Sequence, residues 1–390
     1  MSGRKPLAVI AGLGFSALSR RPGPSARSLA GDAVRDAVHD AGLSLGVVDG
    51  LLLNRSPVEP SETLPLGVQE DLGLRDLGLL ASVEAEGSSA AQMIQIAALA
   101  VQAGMANHVA CVFADAPIGH NVNAGKAFAI PIPITGVSGW EEEIGLLGAT
   151  AAFGFVAARY AALYGATDVH FGAWAIAERA WAAGNDRAFL KTPLTMEEYL
   201  ASRFIANPIR VLDCAYPVNG AVAFLVTRGE WKGNGSKPVF VHGIGQGHSG
   251  CPAIDKLEPE FDNGAVQAGK TAYAMAGIAA DDVSSAQFYA PFTCSGIVAL
   301  ENYGFCRRGE GAGFVADGST APGGRLPVNT GGGMLSGYYL QGATPLAEAV
   351  IQARGQGGLR QVTNDVILAT GLGGRQQHHA ALIVSPHRSL

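Results

Sequence analysis

Tyr338 and Tyr339 stand side by side in "GGGMLSGYYLQGATP", residues 331–345. Glycines lead into a turn before them, and "GAT" opens a helix after them. A phenol is a usable acid or base, but its ordinary pKa of about 10 must fall before it works as a base near neutrality. Free N–H groups at a helix N-terminus supply a field that does this. Two other places join a strand to a helix in the same way. In "EAEGSSAAQM" (84–93), Gly87–Ser88–Ser89 has the form of a nucleophile loop with glycine where the nucleophile is expected. In "FYAPFTCSG" (288–296), Tyr289 stands at a strand end just before a helix. A fourth glycine-rich turn, "GLGGR" at 371–375, lies between the last two strands. Backbone N–H groups in such turns cradle oxyanions, and open α/β sheets gather their sites at strand ends.

The candidate catalytic groups are therefore Tyr339, Tyr289 and Tyr338. The candidate substrate-binding groups are Gly87, Ser88, Gly332, Gly333, Gly373, Gly374 and His248. Each has a plainer reading beside it. Ser88 and Ser89 cap helices more often than they attack carbonyls, and no histidine is assigned as their base. Tyr338 and Tyr339 can pack the loop, and Tyr289 can belong to the core. His248, in "GIGQGHSG", reads as a loop residue, and that glycine run is no dinucleotide fingerprint because no helix follows at once. His378 and His379 read as structural, and "WEEE" (140–143) as a solvated helix start.

The chain that must position these groups has 390 residues, 48% of them hydrophobic, which suits a large core built as two domains or one duplicated domain. A net charge of −6 gives no footprint for nucleic acid, and no polybasic run marks a membrane surface. Charged residues make up only 15% and glycines number 53, the composition of an α/β enzyme with tight turns and close helix packing. No stretch of 18 apolar residues exists, so no membrane helix is expected. The opening "MSGRKPLAVIAGLGF" is broken by Gly12 and Gly14 and reads as a strand rather than a leader. Five scattered cysteines, with no convincing metal spacing even at "HSGC" (248–251), read as reduced thiols in a cytoplasmic protein.

Strands and amphipathic helices alternate from "PLAVIAGLGF" to "HVACVFAD", the pattern of a mostly parallel, covered sheet. The alternation stops between 116 and 210, where "IPIPITGVSGWEEE" reads as a loop and "GATAAFGFVAARYAALYG" and "DVHFGAWAIAERAWAAG" as helices. "AVAFLVT" restores a strand, "GEWKGNGSK" reads as a linker, and from "KPVFVHGIGQG" onward the first pattern returns. The expected division is an N-terminal half (1–115 and 211–230), a mainly helical subdomain inserted in it (116–210), and a C-terminal half (237–390).

In this order of elements, and in "TPLTMEEYLASRFIANPIRVLDCAYPVNGAVAFLV", "FYAPFTCSGIVALENYGFCRRGEG", "NTGGGMLSGYYLQGAT" and the terminal "GLGG", the chain resembles the thiolase superfamily over essentially its whole length. It looks most like the sterol-carrier-type thiolases and the related lipid-transfer-type aldolases. The resemblance implies a thiolase fold of two similar halves, with mixed five-stranded sheets covered by helices. It places the family's acyl-accepting cysteine on Gly87, its two histidines on Tyr289 and Tyr338, its proline on Tyr339 and its C-terminal cysteine near Gly371. A thioester intermediate on cysteine is therefore not expected.

The lipid-transfer-type aldolases have tyrosine in both regions and cleave β-hydroxyacyl-CoA thioesters, typically on a steroid side chain, by a retro-aldol route. Their aspartate after the first tyrosine is Ala290 in this chain. The resemblance implies a lyase of steroid or lipid metabolism acting on an acyl-CoA, with no cofactor beyond the CoA thioester substrate. It also implies a homodimer and a small OB-fold partner of the zinc-ribbon type. Two alternatives remain open at this point: a catalytically silent thiolase-like subunit, and an acetyl-CoA acetyltransferase-like enzyme using a route without cysteine.

Overall fold

The computed structural model describes residues 5–119, 127, 139–140, 143–146, 148–229, 231, 235–249, 263–374 and 376–390. Most of the loop "IPIPITGVSGWEEE", part of the "GEWKGNGSK" linker, Cys251 and Arg375 lie outside the described residues. Strand β1 (Ala8–Phe15) leads to helix α1 (Ala26–Asp40), β2 (Gly50–Asn54), α2 (Pro65–Leu72), β3 (Leu79–Val83), α3 (Ser89–Gln102) and β4 (His108–Asp115). Helices α4 (Gly148–Tyr164), α5 (Asp168–Ala182) and α6 (Met196–Ala201) follow, then the hairpin of β5 (Phe204–Ala206) and β6 (Ile209–Arg210), and then β7 (Gly220–Thr227). The chain continues through β8 (Val239–His248), α7 (Gly264–Ala276), β9 (Ser285–Gln287), α8 (Thr293–Asn302) and α9 (Gly311–Ala316). It ends with α10 (Ala343–Ala353), β10 (Ile367–Gly373) and β11 (His378–Ser385).

The long strands form one nine-stranded sheet in the order β3-β2-β4-β7-β1-β8-β11-β10-β9. The two halves meet where β1 and β8 pair antiparallel, with Ala8 opposite Val241. Outward from that seam both halves repeat the same sequence of pairings. β7 and β4 are added antiparallel and β2 parallel on one side; β11 and β10 are added antiparallel and β9 parallel on the other. The first half closes with β3, parallel to β2. In the second half the fifth place is held by a single parallel bridge, Ala286 to Val328. The repeated mixed topology is the duplication that the sequence pattern announced.

Apart from the edge strand β3, the long strands are largely buried on both faces, so their successive side chains feed different cores. Leu51 and Leu53 of β2 pack outward under α1, while Leu52 faces an inner core. That inner core also takes Phe113, Phe224, Ile367 and Leu382 from the strands of both halves, Met93 and Ile94 from α3, and Leu346 and Val350 from α10. Helices α3 and α10 thus share one core with the strands of both halves. The outer core of the second half joins α7 and α8 to Phe153 of α4 and Trp174 of α5, so the inserted helices are packed onto the sheet rather than hung from it. The N-termini of α3 and α10 follow directly on the two loops of interest, 84–88 and 331–342. No helix among the described residues is long and apolar enough to cross a membrane.

Candidate active site

Four turns converge on Gly87. A Cβ built there would lie 2.3 Å from the carbonyl oxygen of Leu372 on β10 and 2.3 Å from Cε2 and Cζ of Tyr289. The Tyr289 ring therefore occupies the space a nucleophile's side chain would need, and position 87 can carry no such side chain in this arrangement. The Tyr289 hydroxyl lies 2.7 Å from that of Tyr339, and the rings meet edge to face with centroids 6.2 Å apart. Tyr289 is buried and Tyr339 partly exposed. The backbone N–H of Tyr289 donates to Thr370 Oγ1 on β10 (3.2 Å), and that of Phe288 to Asn329 Oδ1 (2.7 Å).

The turns around the pair are held in uncommon backbone states. Glu86, Asn329 and Gln341 all adopt left-handed conformations, with φ of 49°, 50° and 46°. Non-glycine residues take this region at a cost and collect where geometry serves a site. Glu86 is used at once: its Oε2 accepts from the Gly374 N–H (2.7 Å), tying the 84–88 turn to the β10–β11 turn.

Burial sets the electrostatics. It raises both Tyr289 and Tyr339 above the ordinary phenol value. Asp115, buried at the end of β4, is pushed up to about 7 by burial, against a Ser56 hydroxyl (2.6 Å) and the Ala116 N–H (3.1 Å) that favour its charged form. When charged, Asp115 opposes ionisation of Tyr339, as does Glu86. The expected downward pull on the phenols by helix N-termini is thus overridden: both phenols are neutral at rest. Among the described residues no group of three or more His, Cys, Asp or Glu could hold a metal ion.

The structure brings Tyr289, Tyr339 and Gly87 together, and it separates the other candidates. Tyr338 has extended backbone (φ −153°, ψ 153°), so its side chain projects opposite to that of Tyr339. It lies 3% exposed in the inner core, edge-on to Phe15 at 6.1 Å, and does not join the pair. Ser88 is engaged locally: its hydroxyl donates to Ala85 O (2.8 Å) and accepts from Gln92 Nε2 (3.0 Å), and its side chain makes no cap to helix α3. Gly332 and Gly333 adjoin helix α5 rather than forming an oxyanion cradle; at Gly333 (φ 54°) a Cβ would fall 2.2 Å from the Glu178 carboxyl. Gly373 and Gly374 serve close packing of the β10 end on the 84–88 turn. His248 sits at the end of β8, its Nδ1 3.2 Å from His378 Nδ1 and its Nε2 2.9 Å from Gln246 Oε1. Asn329, Glu178 and Asp115 escaped the sequence reading. The faint signals were one acid buried in the apolar run "AWAIAERAWAA" and an asparagine opening "NTGGG".

Residues 245–386 match the family model described as thiolase C-terminal domain-like. Over 364 residues the chain is 35% identical to 17-hydroxy-3-oxo-4-pregnene-20-carboxyl-CoA lyase of Mycobacterium tuberculosis, spanning 89% of this chain and 92% of that one. Over 369 residues it is 33% identical to the steroid side-chain-cleaving aldolase of Thermomonospora curvata, spanning 89% and 90%. The solved Ltp2-ChsH2(DUF35) aldolase superposes with a TM-score of 0.85 at 31% identity over 98% of both chains. A monomeric SCP2-thiolase like protein from Mycobacterium smegmatis shares the fold, with a TM-score of 0.73 at 20% identity over 98% of this chain and 78% of that one. The chain belongs to the thiolase superfamily. Its similarity to the lyase and the aldolase runs across nearly all of its length.

Proposed function

We propose that this chain cleaves the Cα–Cβ bond of a β-hydroxyacyl-CoA, on a steroid or lipid side chain, by a retro-aldol reaction without an acyl-enzyme. One observation carries the reading: two phenols hydrogen-bonded to each other, Tyr289 buried and Tyr339 partly exposed, close over the glycine that stands in the nucleophile's place. Because both phenols are neutral at rest, the proton moves by relay. The β-hydroxyl gives its proton to Tyr339 Oη as the Tyr339 proton passes to Tyr289 Oη. In the same concerted shift the Cα–Cβ bond breaks toward the thioester enolate and its electron pair takes the Tyr289 proton at Cα, so that neither phenol carries two protons at any point. The products are a ketone or aldehyde and a shortened acyl-CoA, and both tyrosines end as they began. A pre-set pair at 2.7 Å lowers the entropy cost of this double transfer.

The silent-subunit alternative accounts for the missing cysteine but not for strained turns that still assemble a phenol pair. Acyl transfer through a nucleophile at 87 is opposed by the Tyr289 ring. The solved relative is an Ltp2-ChsH2(DUF35) aldolase, which supports a small OB-fold, zinc-ribbon partner for this chain. The free thiols of Cys111, Cys214, Cys294 and Cys306 accord with a cytoplasmic setting.

The test is product analysis with a panel of steroid and lipid β-hydroxyacyl-CoAs, with and without the co-purified partner, for wild type, Tyr289→Phe and Tyr339→Phe. Each variant is expected to lose at least ~100-fold in rate with little change in melting temperature, since one hydrogen-bonded hydroxyl is worth about 1 kcal/mol. Near wild-type turnover in both variants on a confirmed substrate refutes the relay.

A further inference from the structure

Glu178 is a carboxylate where carboxylates are costly. It lies 2% exposed on helix α5, and its partners are N–H donors rather than a cation. Its Oε1 accepts from Asn329 Nδ2 (2.7 Å) and Trp174 Nε1 (3.0 Å), and its Oε2 from the Leu335 N–H (3.1 Å). Two of these donors, Asn329 and Leu335, lie on the loop that leads to Tyr339. Asn329, through its Oδ1, holds the N–H of Phe288, the residue before Tyr289. Leu335 lies in the tight turn that delivers Tyr339. One carboxylate thus holds the Tyr339 loop at two points and reaches the Tyr289 loop through Asn329.

The turn is shaped to receive it. Gly333 has φ of 54° and a Cβ there would overlap the carboxyl, so glycine is what lets the acid approach the backbone. The same helix region adds Asn185 Nδ2 to Gly331 O (2.8 Å) and Arg179 Nε to Ser336 Oγ (2.8 Å). The acid's chemistry matters as well as its shape. Above the pKa of about 7 to which burial raises it, the group is a carboxylate that only accepts, so it satisfies every N–H turned toward it; a glutamine would aim its own N–H at one of them.

We infer that Glu178, on the inserted helix, is a positioning residue that sets the separation of the Tyr289 and Tyr339 hydroxyls by holding, on the loop that carries Tyr339, both the Leu335 amide and Asn329, whose Oδ1 in turn anchors the Phe288 N–H beside Tyr289. The inserted subdomain is then part of the catalytic apparatus by geometry, though none of its atoms enters the reaction. This rests on the functional reading above for its kinetic arm alone.

The experiment is Glu178→Gln, alone and combined with Tyr339→Phe, in the full chain with its partner. A misplacement on the order of 1 Å costs up to ~100-fold in rate. The expected result is a kcat loss of at least ~10-fold with KM within ~2-fold. In the Tyr339→Phe background the extra loss shrinks to under ~2-fold, because a positioning residue has nothing left to position. A crystal structure of Glu178→Gln is expected to show the two hydroxyls beyond hydrogen-bonding distance. Tyr199→Phe removes a buried hydrogen bond from the inserted subdomain to Asp213, just beyond it in the chain, and is expected to lower the melting temperature but not kcat. Hydroxyls still 2.7 Å apart in the variant, or rate losses that multiply in the double variant, overturn the inference. Should the wild type cleave no β-hydroxyacyl-CoA, the functional reading fails on its own, and the crystallographic separation still decides this one.

Discussion

Gly87→Ala is the smallest change that asks whether the site is built as described. The new methyl would start 2.3 Å from three atoms, about 1 Å inside ordinary contact. One of them, the Leu372 carbonyl oxygen, is on β10, whose backbone is fixed by full-length pairing to β11 and cannot retreat. The Tyr289 ring must move instead, and it cannot move about 1 Å without breaking its hydrogen bond to Tyr339. Overpacking of this kind costs about 1–3 kcal/mol, and the lost hydroxyl contact adds about 1 kcal/mol. Stability is therefore predicted to fall by a few kcal/mol at most, read by denaturant unfolding. The larger effect is kinetic: at least ~100-fold in cleavage rate from misplacing the pair. Gly87→Cys is predicted to behave the same way and to gain no thiolase activity, because the restored thiol displaces the phenol and finds no histidine in its place. A Gly87→Ala protein with wild-type stability and wild-type rate refutes the claim that the ring owns this space.

Incubation with labelled acyl-CoA followed by intact-mass measurement is expected to show no acyl adduct; a stoichiometric adduct on any residue would overturn the non-covalent route. Asp115 and Glu178 have folded pKa values raised to about 7 by burial, against about 4 when unfolded. Between those values the folded chain holds protons that the unfolded chain has released. The contribution of these groups to stability therefore falls as pH rises from about 4 to about 7 and then levels. Unfolding at pH 5.5 and 8 is expected to show a smaller difference for Glu178→Gln than for wild type, and equal differences would rule the acid out as a cause. Strand β3 ends the sheet order, and its Leu79, Leu80 and Ala81 are only half-buried, so pairing across a two-fold axis with a second copy is expected. A monomer mass by light scattering at micromolar concentration would count against that dimer.

Much of this was legible in the chain. Strand–helix alternation, its interruption after 116 and its return after 237 follow from hydrophobic period and turn residues, which act locally and survive in sequence. So did the loss of the cysteine and the presence of tyrosines at strand–helix junctions. What the linear order did not contain was direction and distance. "YY" reads as two equivalent phenols, yet extended backbone sends Tyr338 into the core and Tyr339 to the site. Gly332 and Gly333 read as an oxyanion cradle, yet they leave room for an inserted helix that lies more than a hundred residues earlier in the chain. The phenol pKa was expected to fall with the helix field, yet burial among two halves and an insertion raises it. Residue types and local period are set by neighbours in sequence, whereas desolvation, the 2.7 Å phenol pair and the Glu178 grip arise only when segments far apart in the chain displace water from one another.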